Sequence, residues 1–220
     1  MDEALAADRA RALALTNVSR ETLERLDRFV ALLLQWQRTT NLIAPSTVPR
    51  LWTRHIADSL QLIELAPAAL VWIDLGSGGG FPGLPIACAL AEMPAAVVHL
   101  VESNQKKAAF LRESARVTGA PAIVHAMRIE KFVDGLAPRA DAVTARAVGS
   151  LKALLNECFI LLQPAAVGLF PKGQDVEAEL TEASKYWNIT GALVPSRTDP
   201  KARIVVVRSL QRRQGAANQA

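Results

Sequence analysis

Cysteine is scarce. Cys88 and Cys158 are the two in a chain of 220 residues, and each falls within an apolar helical pattern. No C-x-x-C pair and no His/Cys cluster occurs, so neither a metal site nor a disulfide framework is indicated, and two buried free thiols are expected. No apolar run reaches about 18 residues, the length that a membrane-spanning helix needs. The opening residues carry Asp2 and Glu3 and no apolar stretch, so no signal peptide is read and a cytoplasmic protein is expected. Internal repeats are missing as well. Charge of either sign is modest: the net charge is +4 and the isoelectric point is near 9.4. Such a balance is compatible with nucleic acid without requiring it. Half of the residues are hydrophobic, which excludes disorder for most of the chain.

The most informative stretch is residues 70–83, Leu-Val-Trp-Ile-Asp-Leu-Gly-Ser-Gly-Gly-Gly-Phe-Pro-Gly. An apolar strand ends at Asp74, a glycine turn follows, and Leu84 to Leu90 is helix-compatible. Glycines admit positive φ and close ligand approach, and the next helix presents unpaired N–H groups. From Gly78 the turn fits the dinucleotide pattern G-x-G-x-x-G. From Asp74 it fits D-x-G-x-G-x-G, the first motif of S-adenosyl-L-methionine (AdoMet) methyltransferases. The second parse fits better, because Gly76 already ends the strand while Pro82 and Pro85 delay the helix. A second strand, 97–101, ends in Glu102, a carboxylate suited to ribose hydroxyls in either class. Ile129 and Glu130, after a third strand at 123–127, are placed to read an adenine edge.

Along the chain, residues 1–66 read as a helical extension. Ser19 caps a helix from Arg20, and Ser46 or Thr47 caps a second one reaching about Leu65, with Pro49 in its first turn. On that second helix Arg50, Arg54 and Asp58 share a face at i, i+4 spacing. Residues 67–210 alternate strand and helix, the pattern of a mostly parallel sheet. A fourth strand, 140–148, carries Arg146, and a fifth, 167–170, is closed by Pro171-Lys172-Gly173. Two β-rich runs, 189–194 and 204–210, suggest a closing pair with an antiparallel edge. Residues 211–220 read as a disordered tail.

Asp74-Leu-Gly-Ser-Gly-Gly-Gly-Phe-Pro-Gly-Leu-Pro-Ile-Ala resembles the signature of the bacterial 16S ribosomal RNA guanine-N7 methyltransferase family. Asn41-Leu-Ile-Ala, Arg54-His55-Ile-Ala-Asp58-Ser59-Leu, Ile129-Glu130, Ala145-Arg146-Ala147 and Pro171-Lys172-Gly173 match it in order. The resemblance spans about residue 20 to 208. It implies a Rossmann-like class I methyltransferase with a seven-stranded, mostly parallel sheet, an antiparallel edge strand and an N-terminal helical extension. It implies AdoMet as cofactor, held by Gly76, Gly78, Phe81, Glu102, Ile129, Glu130 and Arg146. Arg54, His55, Lys172 and Arg203 are the candidates for RNA contact. The implied reaction is N7-methylation of one guanine in the 530 loop of 16S ribosomal RNA, within the small subunit or an assembly intermediate. Loss of that reaction is linked in the family to low-level streptomycin resistance. A monomer is expected.

Two absences agree with this chemistry. Exocyclic amines are usually methylated with an Asn/Asp-Pro-Pro-aromatic motif after the fourth strand, where this chain reads Thr144-Ala145-Arg146-Ala147. Methylation at cytosine C5 needs a cysteine nucleophile, and neither cysteine lies near that strand end. Guanine N7 has a free lone pair and no proton to lose, so no catalytic acid, base or nucleophile is assigned. An NAD-dependent oxidoreductase, a small-molecule methyltransferase and a non-catalytic ribosome-assembly factor are the alternatives that share this fold.

Overall fold

A computed structural model describes residues 3–162 and 166–213. Helix α1 (Glu3–Ala14) precedes α2 (Arg20–Gln37). Ser19 caps α2 as expected, its hydroxyl oxygen accepting from the Thr22 N–H at 3.0 Å. Leu26, Phe29, Val30 and Leu33 form the buried stripe of α2. At its end Gln37 takes the N–H groups of Leu42 and Ile43 on Oε1, both at 3.0 Å, and donates to the Ile43 carbonyl at 2.8 Å. That clamp fixes the 41–44 loop.

The second expected helix is not a single regular one. A 3₁₀ stretch (Pro45–Arg50) leads into a π stretch (Trp52–Ala57), then α3 (Asp58–Leu60) and a 3₁₀ turn (Ile63–Leu65). It begins at Pro45, whose missing N–H suits a first turn, and neither Ser46 nor Thr47 caps it. Such i→i+5 bonding is rare and occurs as short insertions in helices. Asp58 is buried against Gln61 and Thr198, while Arg54 stays part exposed beside Asp199.

Strands β1 (Val71–Leu75), β2 (Val97–Val101), β3 (Ala122–His125), β4 (Ala142–Ala145), β5 (Val167–Lys172), β6 (Trp187–Pro195) and β7 (Arg203–Arg212) form one sheet. Its order is β3-β2-β1-β4-β5-β7-β6. The pairs among β1 to β5 are parallel, and β7 enters antiparallel between β5 and β6. Helices α4 (Gly83–Leu90), α5 (Gln105–Thr118), α6 (Ile129–Gly135), α7 (Leu151–Cys158) and α8 (Val176–Ala183) complete the layers. One core packs α1, α2 and the composite helix onto α4, α5 and one face of the sheet, through Leu5, Phe29, Trp52, Trp72 and Leu100. The other joins the opposite face to α6, α7 and α8 through Ile73, Phe132, Leu155 and Phe170. Cys88 and Cys158 are buried free thiols, one in each core.

Some boundaries differ from the sequence reading. β4 stops at Ala145, because Ala147 turns the chain at φ 59°, so Arg146 lies just past the strand. β7 runs to Arg212, pairing Gln211 with Asn188 and Arg212 with Trp187, so these two positions belong to the sheet and not to a tail. Residues 214–220 lie outside the described ones. Among the described residues no helix is long and apolar enough to cross a membrane, and no cluster of metal-ligating side chains occurs.

Candidate active site

Parallel sheets of this winding bind ligands beyond the carboxyl ends of their strands, where the order reverses. Here that point lies between β1 and β4. Asp74, fully buried near the end of β1, accepts from the Gly83 N–H at 3.1 Å and the Thr144 hydroxyl at 3.1 Å. It thereby ties the start of α4 to two strands. Burial pushes its pKa up to about 6, against the lowering effect of these hydrogen bonds. A Cβ at Gly83 would sit 2.3 Å from Leu100 Cδ2 and 2.7 Å from Asp74 Oδ2, so only glycine fits.

Gly78 differs. It has φ 56°, and a Cβ there would meet nothing nearer than the Gly76 carbonyl oxygen at 3.7 Å. The space above it belongs to a cavity of about 410 Å³. Glu102 fixes this turn: Oε2 accepts from the Gly78 N–H at 2.9 Å, and Oε1 from the Asn104 N–H at 2.7 Å. Each oxygen keeps a second lone pair for a ribose hydroxyl. The cavity is also lined by Leu42 and Ile43 of the clamped loop, and by Phe81, Lys107 and Arg146. A backbone cradle left open at a glycine, beside a carboxylate already held in place, fits an adenosyl cofactor.

Arg146 forms the far wall. One guanidinium nitrogen donates to His55 Nδ1 at 2.7 Å. The other donates to the Arg54 carbonyl at 3.2 Å and lies 3.4 Å from Asp58 Oδ2. Arginine can only donate, so His55 Nδ1 must accept, and its proton resides on Nε2. Nε2 lies 2.9 Å from Thr47 Oγ1, which in turn donates to the Ala44 carbonyl at 2.7 Å. Burial, then the Arg146 and Arg54 charges, push the His55 pKa down to about 3. Phe81 lies beneath both groups, 4.8 Å from the His55 ring and 5.2 Å from the guanidinium carbon of Arg146. Asp58 accepts from the Thr198 hydroxyl at 2.6 Å and from Gln61 at 2.9 Å, which joins the wall to the loop between β6 and β7.

A second cavity, of about 270 Å³, adjoins the first and shares Arg54, Arg146 and Ala147 with it. Lys172, Glu179 and Arg203 line it. Lys172 Nζ donates to the Gly149 carbonyl at 3.0 Å and to Glu179 Oε2 at 2.8 Å. The same Oε2 accepts from the Leu151 N–H at 2.6 Å.

Of the residues singled out from sequence, Gly76, Gly78, Phe81, Glu102, Arg146, Arg54 and His55 meet around the first cavity. Lys172 and Arg203 meet Arg54 and Arg146 around the second. His55 is buried with both ring nitrogens engaged. Arg203 donates to the carbonyls of Pro200 and Ala202. Ile129 and Glu130 open α6 and line neither cavity; burial, and then the Glu130 charge, raises the pKa of Glu157 on α7. Lys107, Glu179 and Thr198 were not singled out. Lys107 and Glu179 read as ordinary charges on amphipathic helices, and Thr198 sits in a loop without a pattern.

The model of the family described as rRNA small subunit methyltransferase G matches residues 22–204. The Ribosomal RNA small subunit methyltransferase G of Bradyrhizobium sp. (strain BTAi1) is 60% identical over 94% of each chain. That of Nitrobacter hamburgensis is 59% identical, over 94% of this chain and 80% of its own length. Among solved structures, an O-methyltransferase from Bacillus cereus in complex with SAH superposes with a TM-score of 0.61, covering 95% of this chain and 100% of its own, at 13% identity. That likeness concerns the fold, which is the Rossmann-like methyltransferase fold. The chain therefore belongs to the rRNA small subunit methyltransferase G family.

Proposed function

We propose that this protein transfers a methyl group from AdoMet to N7 of one guanine in the 530 loop of 16S ribosomal RNA, acting on the small subunit or its assembly intermediate. The observation that carries the reading is the pair of adjoining cavities with Arg146 and Arg54 in their common wall. In a member of this family, one cavity suits the cofactor and the other the acceptor base. AdoMet, when bound, supplies a methyl carbon already made electrophilic by the sulfonium.

The chain's part is placement. Glu102 and the glycine turn hold the adenosyl end, and Arg146, braced by His55 and Asp58, fixes the junction of the two cavities. Proximity and orientation supply much of the acceleration for such a transfer. N7 loses no proton, so the neutral His55, buried with both nitrogens bonded, is not required as a base. The enzyme acts as a monomer on RNA already folded in a particle.

The reading is tested with labelled AdoMet and small subunits from a strain lacking the enzyme. Reduction and strand scission then map N7-methylguanine. One cut in the 530 loop, abolished by Arg146→Ala, is the expected result. Label at another atom or base would keep the fold and discard the target.

A further inference from the structure

The second cavity carries a donor and an acceptor side by side. Lys172 is tied by two of its three N–H groups, to Gly149 and Glu179, which leaves one to donate. Glu179 takes both the Leu151 N–H and Lys172 on Oε2, and no hydrogen bond is formed at Oε1 among the described residues. Both side chains are largely withdrawn from solvent, at 11% and 27% exposure. An ammonium N–H beside an open carboxylate oxygen, in a part-buried cavity, is the complement of a base edge that presents an acceptor and then donors.

Guanine presents that edge as O6, N1–H and the 2-amino group. Methyl transfer requires N7 to face the wall shared with the first cavity, and O6 is the atom flanking N7. β5, which delivers Lys172, pairs directly with β4, which delivers Arg146, whereas Glu179 comes from α8. Lys172 is thus the group nearer the shared wall in the layout of the sheet.

Resting on the N7-methyltransferase reading, we propose that Lys172 and Glu179 are the guanine-reading pair: Lys172 donates to O6, and Glu179 Oε1 accepts from N1–H and the 2-amino group. Adenine in the same orientation would set its amino group against the ammonium and its unprotonated N1 against the carboxylate. Both contacts mismatch, and unpaired polar groups discriminate strongly. The pair also serves the transfer itself. N7 forms its bond to the methyl carbon with its own lone pair while the S–C bond breaks and leaves its electrons on sulfur. The purine becomes cationic, so its N1–H is a stronger donor to Glu179 in the transition state than in the ground state.

The test uses single-turnover methylation of small subunits rebuilt on RNA with guanosine or inosine at the target position. Inosine keeps N7 and O6 and lacks the 2-amino group. The wild-type enzyme is expected to be about tenfold or more slower on inosine, the scale of one hydrogen bond to a charged group. Glu179→Gln should be slower on guanosine, bind AdoMet normally and lose most of the guanosine-to-inosine ratio. Glu179→Asp, which keeps a carboxylate, should retain part of that ratio. If Glu179 only supported Leu151 and Lys172, both substrates would slow equally and the ratio would persist, which overturns the assignment. A wild-type enzyme indifferent to the 2-amino group overturns it without any variant. Failure of the wild type to methylate guanosine at all would instead overturn the proposed function.

Discussion

Arg146 donates to His55 Nδ1 at 2.7 Å, and this contact sets the protonation state of the imidazole. A protonated ring would place N–H against N–H in a buried wall beside two arginine charges. Burial first, and then the Arg146 and Arg54 charges, push the His55 pKa down to about 3. In an NMR titration the His55 ring should remain neutral to about pH 4. In Arg146→Met its pKa should rise only part of the way, because the guanidinium is gone but burial, the larger cause, remains. A ring that protonates near pH 6 in the wild type would contradict the geometry.

His55 and Asp74 act on stability in opposite directions over one pH range. The unfolded chain protonates His55 at about 6.5 and the folded chain only at about 3, so the stability it contributes is complete above 6.5 and is lost as pH falls toward 3. Asp74 keeps its proton up to about 6 when folded but only to about 3.8 when unfolded, so its contribution is complete below 3.8 and lost as pH rises through 6. Between roughly pH 4 and 6 the two slopes oppose, each at most about 1.4 kcal/mol per pH unit. Urea unfolding across that window should therefore show His55→Asn losing stability with rising pH relative to wild type, and Asp74→Asn gaining it.

Two glycines of one turn should separate folding from binding. Gly83→Ala forces a methyl against Leu100 and Asp74 and should cost about 2–3 kcal/mol of stability, read from chemical denaturation. Gly78→Ala meets no atom closely, and its positive φ costs only about 1–2 kcal/mol, yet the methyl enters the cavity. Its expected signature is a large loss of AdoMet affinity with a modest change in melting temperature.

The strand, glycine turn and helix around Asp74 were legible because each step has its own signal: an apolar run, helix-delaying prolines, and glycines where φ turns positive. The bounds of β2 and the cap Ser19 were legible for the same local reasons. The face of the composite helix was not. Its 3₁₀ and π segments have no sequence signal, and the burial of Asp58 against Thr198 is a tertiary outcome. Glu179 and Thr198 reach the site from α8 and from a distant loop, so no spacing in the sequence links them to Arg146.

Glu102 and Glu130 should part company in a calorimetric titration with AdoMet. Glu102 lines the cavity and holds the Gly78 N–H, so Glu102→Gln should weaken binding about tenfold or more. Glu130 lies at the start of α6 outside the cavity lining, so Glu130→Ala should change affinity less than Glu102→Gln. Equal losses for the two would place the adenosine farther toward α6 than the cavity walls do.

Asp58 and Arg146 supply the strictest check on the wall, because neither is well solvated: their side chains are 5% and 19% exposed. Asp58→Asn preserves an acceptor for Thr198 but removes the charge opposing the guanidinium, and a buried cation without its partner costs about 3 kcal/mol. Arg146→Met leaves Asp58 with its hydroxyl and amide donors, so it should cost less. In the double variant neither charge is stranded. Its loss of stability should therefore fall short of the sum of the single losses by about 1–3 kcal/mol, measured as a double-mutant cycle in urea. Strict additivity would mean that the guanidinium is neutralised by solvent and not by Asp58. The wall would then owe its position to His55, Phe81 and the Arg54 carbonyl.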